Sequence, residues 1–233
     1  MPDASSTSDG PPDHPAPAVA ARTLRELLGH PGALMAMRLA GGQLRRLHEQ
    51  PLPPAAGCTT RGPRDEASAL TADLERVIWQ APSAYAAVGE RGRVVIEDLG
   101  ELRTPPRRVI HGHLDLEQIL LTDDGEAIIA LPVGVTLGDP VIDLACLAAH
   151  LAAAVDPATA KVLRRALLVG YNAPARWGRR LAIYEQAMAL RLICVDALLM
   201  CAAAPPAARR PREGRARMRP MPPRLRGRVP ALR

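Results

Sequence analysis

Phenylalanine is absent from the 233 residues, aromatic residues make up only 2% of them, and lysine occurs once, as Lys161. A core without large rings has to be built from Leu, Ala, Val and Ile, which suits packed helices better than a broad sheet. A mainly α-helical domain with a small β part is therefore expected. The four cysteines, Cys58, Cys146, Cys194 and Cys201, contain no CxxC pair. Three of them lie in apolar helical stretches, where cysteine behaves as a small hydrophobe, and a reduced, cytoplasmic setting fits that usage. The start, "MPDASSTSDGPPDHPAPAVA", has neither a basic opening nor an apolar h-region, so residues 1–21 read as a disordered leader and not as a signal peptide. Asp143, His150 and Asp196 interrupt the longest apolar runs before about 18 uncharged residues accumulate, so no membrane-spanning helix is expected.

What is present is 48% hydrophobic content, enough for one large domain or two small ones. The net charge of +6 is unevenly placed, because residues 205–233 hold ten arginines against Glu213 alone. Residues 204–233 read as a disordered Arg/Pro tail that attracts acidic partners nonspecifically. With no aromatic residue to stack on bases and no binding motif, the tail argues against sequence-specific nucleic-acid recognition.

Leu34, Met37, Ala40, Leu44 and Leu47 recur at helical spacing and are ended by Pro51, Pro53 and Pro54. Ala67, Leu70, Leu74, Val77 and Ile78 mark a second helix. Residues 83–103 are less regular, since Gly89, Gly92 and Gly100 interrupt them. After Pro105 and Pro106, "QILLT" and "EAIIAL" flank "DDG", the pattern of a β-hairpin. Asp139 and Pro140 signal a helix start ahead of a nearly all-apolar helix to about Val155. Asp156 and Pro157 start another through Leu168, and Trp177–Ala203 completes the series.

The stretch "VIHGHLDLEQILLTDDGEAIIAL", residues 109–131, holds the candidate chemistry. His111, His113 and Asp115 at alternate positions of an extended segment would share one side, where two imidazoles and a carboxylate can meet a metal ion. That pattern resembles the H-x-H-x-D-H signature of metallo-β-lactamase-type hydrolases, although Leu116 stands where the final histidine would be. A zinc-dependent hydrolase built on His111, His113 and Asp115 is therefore one reading.

The whole stretch, continued by "GDPVIDLA", resembles the catalytic segment of the aminoglycoside phosphotransferase and choline kinase-like family, which carries H-G-D-x-x-x-x-N, a hairpin, I-D-x-x and G-D-P-x-x-D-L-A. "LAGGQLRRLHEQPLP" upstream and "GYNAPARWGRRLAIYEQAMALRL" downstream extend the resemblance over residues 22–203. It implies a protein-kinase-like C-terminal lobe with the N-terminal lobe largely missing, ATP and Mg²⁺ as cofactors, and a small hydroxylated molecule as acceptor. Such transfer needs a carboxylate near the attacking hydroxyl, oxygen ligands for magnesium and a lysine on the nucleotide. His113 falls on the catalytic aspartate's position and Gln118 on that of the metal-binding asparagine. Leu131 falls on the second metal aspartate's position, and Lys161 lies far beyond the loop. "HGHLD" looks like "HGDLH" with Asp and His exchanged, which makes His113 or Asp115 the candidate base and Gln118 the remaining metal contact. His111, Asp139 and Asp143 are expected to hold the loop. Impaired phosphoryl transfer is the expectation. The alternatives are a non-catalytic module binding a small molecule or protein in an acidic cleft, or the zinc hydrolase.

Overall fold

The computed structural model describes residues 21–53, 57–131 and 136–203. The leader, apart from Ala21, and the Arg/Pro tail lie outside the described residues.

Strand β1 (Ala21–Thr23) runs into the single turn α1 (Leu24–Leu27). Thr23 and Glu26 cap each other's backbone N–H groups there, the reciprocal pair of a capping box. Helix α2 (Ala33–His48) buries Ala36, Met37, Ala40, Gly41, Leu44, Leu47 and His48, one stripe at spacings of three and four. Leu34, expected on that stripe, is 46% exposed, because Ala33 occupies the inward position of the first turn.

A short strand β2 (Thr59–Arg61) precedes helix α3 (Pro63–Gln80), where Pro63 fits a first turn whose N–H would have no helical partner anyway. Helix α4 (Pro82–Glu101) follows after Ala81 alone, so α3 and α4 fold back as an antiparallel pair. The glycines expected to break α4 do not: Gly89 and Gly92 are buried on its inner side, and a Cβ on Gly92 would press on Leu74 of α3. Tertiary packing overrides the low helix propensity of glycine at these positions.

Strand β3 (Arg108–Ile110) leads to the hairpin β4 (Ile119–Thr122) and β5 (Ala127–Ile129). The tight turn between them uses Gly125 at φ +82°, a conformation that favours glycine. Strand β6 (Thr136–Gly138) then enters helix α5 (Val141–Ala154), followed by α6 (Pro157–Tyr171), a 3₁₀ turn at Ala175–Trp177 and α7 (Gly178–Ala203). The β part exceeds the expected hairpin. β1 adds antiparallel to β4, and β6 pairs parallel with β2 and antiparallel with β3, giving two three-stranded sheets. Strands of three residues carry too little alternation to be seen in sequence.

Helix α5 is buried nearly all round, at the centre of a core that α6 and α7 flank. α2 and α6 cross so closely that a Cβ on Gly170 would overlap the Arg38 carbonyl, and one on Gly41 that of Leu167. The absence of side chains at this crossing lets the two backbones touch. α7 corrects the expectation about membrane spans. With Ala175–Trp177 it forms a 29-residue segment of mean hydropathy 1.7 over its best window, long and apolar enough to cross a membrane by length and composition. In this fold it packs on α3, α4 and α5, and its Arg191 is paired with carboxylates of α3.

Candidate active site

Residues 111–118 form the loop between β3 and β4, and helix α5 holds it from beneath. Asp143, fully buried in the first turn of α5, accepts the backbone N–H of His111 (2.7 Å) through Oδ2 and that of Gly112 (2.8 Å) through Oδ1. Gly112 sits at φ +86°, so the chain can turn over the carboxylate without a Cβ in the way. His48, at the end of α2, donates from Nε2 to the same Oδ2 at 3.0 Å, and its Nδ1 lies 2.8 Å from the Tyr171 hydroxyl of α6. Burial pushes the Tyr171 phenol well above its ordinary range, which keeps its proton available to that imidazole. One carboxylate thus joins α2, α5, α6 and the loop.

Asp139 caps α5 through the N–H of Val141 (3.1 Å), and Arg180 Nε stands 3.2 Å from its other oxygen, close enough for ionic attraction but out of hydrogen-bond alignment. Burial, opposed by Arg180, raises the Asp139 carboxyl above the usual range.

His111 is buried with both ring nitrogens engaged: Nε2 lies 2.9 Å from the Ala130 carbonyl and Nδ1 accepts the N–H of His113 at 3.4 Å. This bond sets the end of β5, and with it Leu131, beside the loop. Asp115 Oδ1 accepts the N–H groups of Glu117 and Gln118 (2.8 and 3.1 Å), while Gln118 Oε1 accepts the N–H of Asp115 at 2.9 Å. The two side chains close the loop on itself. His111, His113 and Asp115 do not converge. Among the described residues no group of three or more His, Cys, Asp or Glu is placed to hold a metal ion.

His113 points away from this scaffold, towards β2. Its ring nitrogens lie 3.3 and 3.5 Å from Arg61 Nη1, and a guanidinium can only donate, so the imidazole is the acceptor. Burial, then the positive charges of Arg61 and Arg191 and the neighbouring His111, push its affinity for a proton below the ordinary range, with Asp143 opposing. The position holds a neutral ring.

Arg61 is itself held by Glu66 of α3 (Nε to Oε1, 2.7 Å). Arg191 of α7 reaches Glu66 Oε2 at 3.1 Å and Asp73 Oδ2 at 2.9 Å, and Arg76 takes the other Asp73 oxygen. Above this chain of charges lies a cleft of about 220 Å³ whose walls include Arg61, Arg76, Arg191, His113, Asp115 and His150. The cleft expected to be acidic carries three guanidiniums beside the carboxylates of Asp73 and Asp115. Cys146 in its floor is no nucleophile, since burial pushes its thiol up to about 12.

The lowered proton affinity of His113 has a measurable sign. A histidine that binds its proton less well folded than unfolded contributes stability that is fully present above its unfolded value of about pH 6.5 and is lost as the pH falls from there through the lower value of the folded state. His150, lowered chiefly by burial, acts in the same direction. The thermal midpoint should therefore fall between about pH 7.5 and 5.5, and fall less in His113→Gln. Equal slopes in the two proteins would contradict the assignment.

The sequence reading assigned no role to His48, Arg61, Glu66, Asp73, Tyr171 or Arg191. A signal for some of them was present: Glu66 and Asp73 fall in phase with Leu70, Leu74 and Val77, and His48 with Leu44, so polar groups stand on buried stripes and require partners. Which arginine answers which carboxylate depends on how α3, α7 and β2 meet, over separations of up to 125 residues.

A loop braced by a buried aspartate from the following helix, a β-hairpin and a surrounding set of helices define the large lobe of a protein-kinase-like fold. A choline/ethanolamine kinase family protein from Mesorhizobium loti superposes with a TM-score of 0.55 at 22% identity, over 79% of this chain and 60% of that one. A glucosamine kinase in complex with glucosamine, ADP and inorganic phosphate gives 0.52 at 16% identity, over 77% and 51%. An aminoglycoside-3'-phosphotransferase of type VIII gives 0.50 at 17%, over 74% and 66%. The chain thus spans between about half and two thirds of the length of these proteins. None of the curated proteins matches it. The model of the phosphotransferase enzyme family, APH, matches residues 10–180, and the chain belongs to that family.

Proposed function

We propose that this chain keeps the family's loop scaffold and has lost the ionic machinery of phosphoryl transfer to small-molecule hydroxyls. The observation that carries the reading is His113: where the family resemblance calls for a carboxylate, a neutral imidazole has its ring nitrogens turned to Arg61. A base must have a free lone pair within about 3 Å of the proton it takes, and an oxyanion-forming hydroxyl gains no help from a group that is already a hydrogen-bond acceptor for a guanidinium. Asp115 stands two residues farther along the loop and spends Oδ1 on closing it against Glu117 and Gln118.

The residues present do not fit magnesium either. A hard cation needs several oxygens at about 2.1 Å. Leu131, at the position the resemblance assigns to a metal aspartate, offers an isobutyl group that is 64% exposed, and Gln118 Oε1 is bonded to the Asp115 N–H. The second reading, a binding module, follows from the same cleft and needs no transfer step.

The test is phosphoryl transfer from labelled ATP to a panel of aminoglycosides, amino sugars and choline, with the unmodified chain beside His113→Asp/Leu131→Asp. No transfer above the buffer blank is expected from the unmodified chain. Turnover by that chain, abolished by His113→Ala, would refute the reading.

A further inference from the structure

We infer that the cleft between α3, α5, α7 and the His113 loop is a binding site for a small oxyanion, a carboxylate or phosphate group, and not for the cationic molecules that an acidic cleft would take. The inference rests on the reading of His113 as a neutral group in a carboxylate's place, but it does not require phosphoryl transfer to be absent.

The guanidinium donors decide it. Two carboxylates, Glu66 and Asp73, have side chains only 1% and 5% exposed, and all four of their oxygens face guanidinium groups: Arg61 and Arg191 on Glu66, Arg191 and Arg76 on Asp73. Three arginines thus share two buried acids. Each guanidinium has five N–H donors, and the carboxylates use only some of them. Arg61 Nη1 is turned to His113 and not to an acid. Arg76, with its side chain 58% exposed, stands at the edge of the cleft.

The opposing charges in the wall are Asp73, both of whose oxygens are taken by Arg76 and Arg191, and Asp115, whose Oδ1 is occupied by the Glu117 and Gln118 N–H groups. His150 lines the same cleft within reach of the Asp115 charge and, like His113, holds its proton less firmly than usual, so neither ring adds a charge of its own to the wall. An oxyanion accepting from Arg61, Arg76 and Arg191 would meet preformed donors, because the buried acids already fix the guanidinium planes. Fixed forks suit planar carboxylates and phosphates through paired N–H donors. The volume of about 220 Å³ is below the range of drug-sized sites, which limits the ligand to a small metabolite.

The pairing also explains the residue at 113. An aspartate there would place a carboxylate within reach of Arg61 Nη1 and satisfy it internally. The neutral ring leaves Arg61 Nη1 with no acid partner and its donor open to a ligand.

The experiment is titration calorimetry and thermal shift on the full chain at constant ionic strength without nucleotide. Inorganic phosphate and malonate are the two anion probes, and kanamycin is the cation of opposite sign. Binding of phosphate or malonate is expected, weakened at least tenfold in His113→Asp and several-fold in Arg76→Gln, and retained in His113→Gln. Neither His113→Asp nor Arg76→Gln strips a buried acid of all its partners, so circular dichroism should show both folded. Preference for one probe identifies the anion as carboxylate or phosphate. Three results would overturn the inference: neither anion binds, both bind equally to the unmodified chain and His113→Asp, as capture by the Arg/Pro tail would give, or kanamycin binds more tightly than either. Since no ATP is present, the outcome is independent of whether the chain transfers phosphate.

Discussion

Replacing Asp143 by alanine should lower the stability of the fold by about 3–5 kcal/mol, the range found when one partner of a buried polar or ionic set is removed. The size follows from the number of groups left behind. The His111 and Gly112 N–H groups and His48 Nε2 all lose their acceptor at a position from which water is excluded. Each unsatisfied donor costs roughly 1–3 kcal/mol, partly relieved where the loop can relax. For a chain of this size that corresponds to a fall of about 10 °C or more in thermal midpoint. Asp143→Asn should lose less, because its amide oxygen can still accept one of the three. Denaturant unfolding of both variants checks the order, and a stability loss below about 1 kcal/mol for Asp143→Ala would show that the loop is held by something else.

Glu66→Ala should be comparably severe, at about 3–5 kcal/mol. Its carboxylate is 1% exposed and lies between Arg61 of β2 and Arg191 of α7, so truncation leaves two guanidiniums facing each other over a buried space. The loss has a second consequence that a cavity alone would lack. Arg61 would be released from its anchor, and His113 would lose a fixed donor. A Glu66→Leu variant separates the two effects: it fills the space yet leaves the charges unpaired, so it should recover little of the stability. Recovery to near the unmodified chain would mean that packing and not charge governs this position.

The helices were legible because each announces itself locally. Ala36 to Leu47, Leu70 to Val77 and the apolar run from Val141 are periodic over several turns, and Asp156 with Pro157 caps α6 as its residue types require, through the N–H groups of Ala158 and Thr159. The β4–β5 hairpin was equally local. What was hidden depends on partners distant in the chain. β2 and β6 are three residues each and become strands only when they meet, 77 residues apart. The site divided along the same line. His111, His113, Asp115, Gln118, Asp139 and Asp143 stand out in sequence because a motif orders them. Arg61, Glu66, Asp73 and Arg191 belong to no motif, so the guanidiniums that offset the acids of the expected acidic cleft were not seen. Gly89 and Gly92 misled for the opposite reason: local propensity argued for a break, but both are buried in a continuous helix, Gly92 where Leu74 of α3 comes close and Gly89 under the Tyr85 ring of α4 itself.

In the proposed reading the scaffold and the chemistry of this chain have separated. The buried bonds that shape the family's loop are formed by Asp143, His48 and the backbone of His111 and Gly112. The residue at the base position is an imidazole, and those at the two positions assigned to a nucleotide's metal are an amide engaged with backbone and an exposed leucine.

The most direct test of that separation is the effect of Mg²⁺ on ATP affinity, measured by titration calorimetry with the full chain at fixed ionic strength. A site with anionic anchors binds the metal complex far more tightly than the free nucleotide. The present account predicts no tightening by Mg²⁺, whatever the affinity for ATP itself. An increase of tenfold or more on adding Mg²⁺, lost in Gln118→Ala, would contradict it.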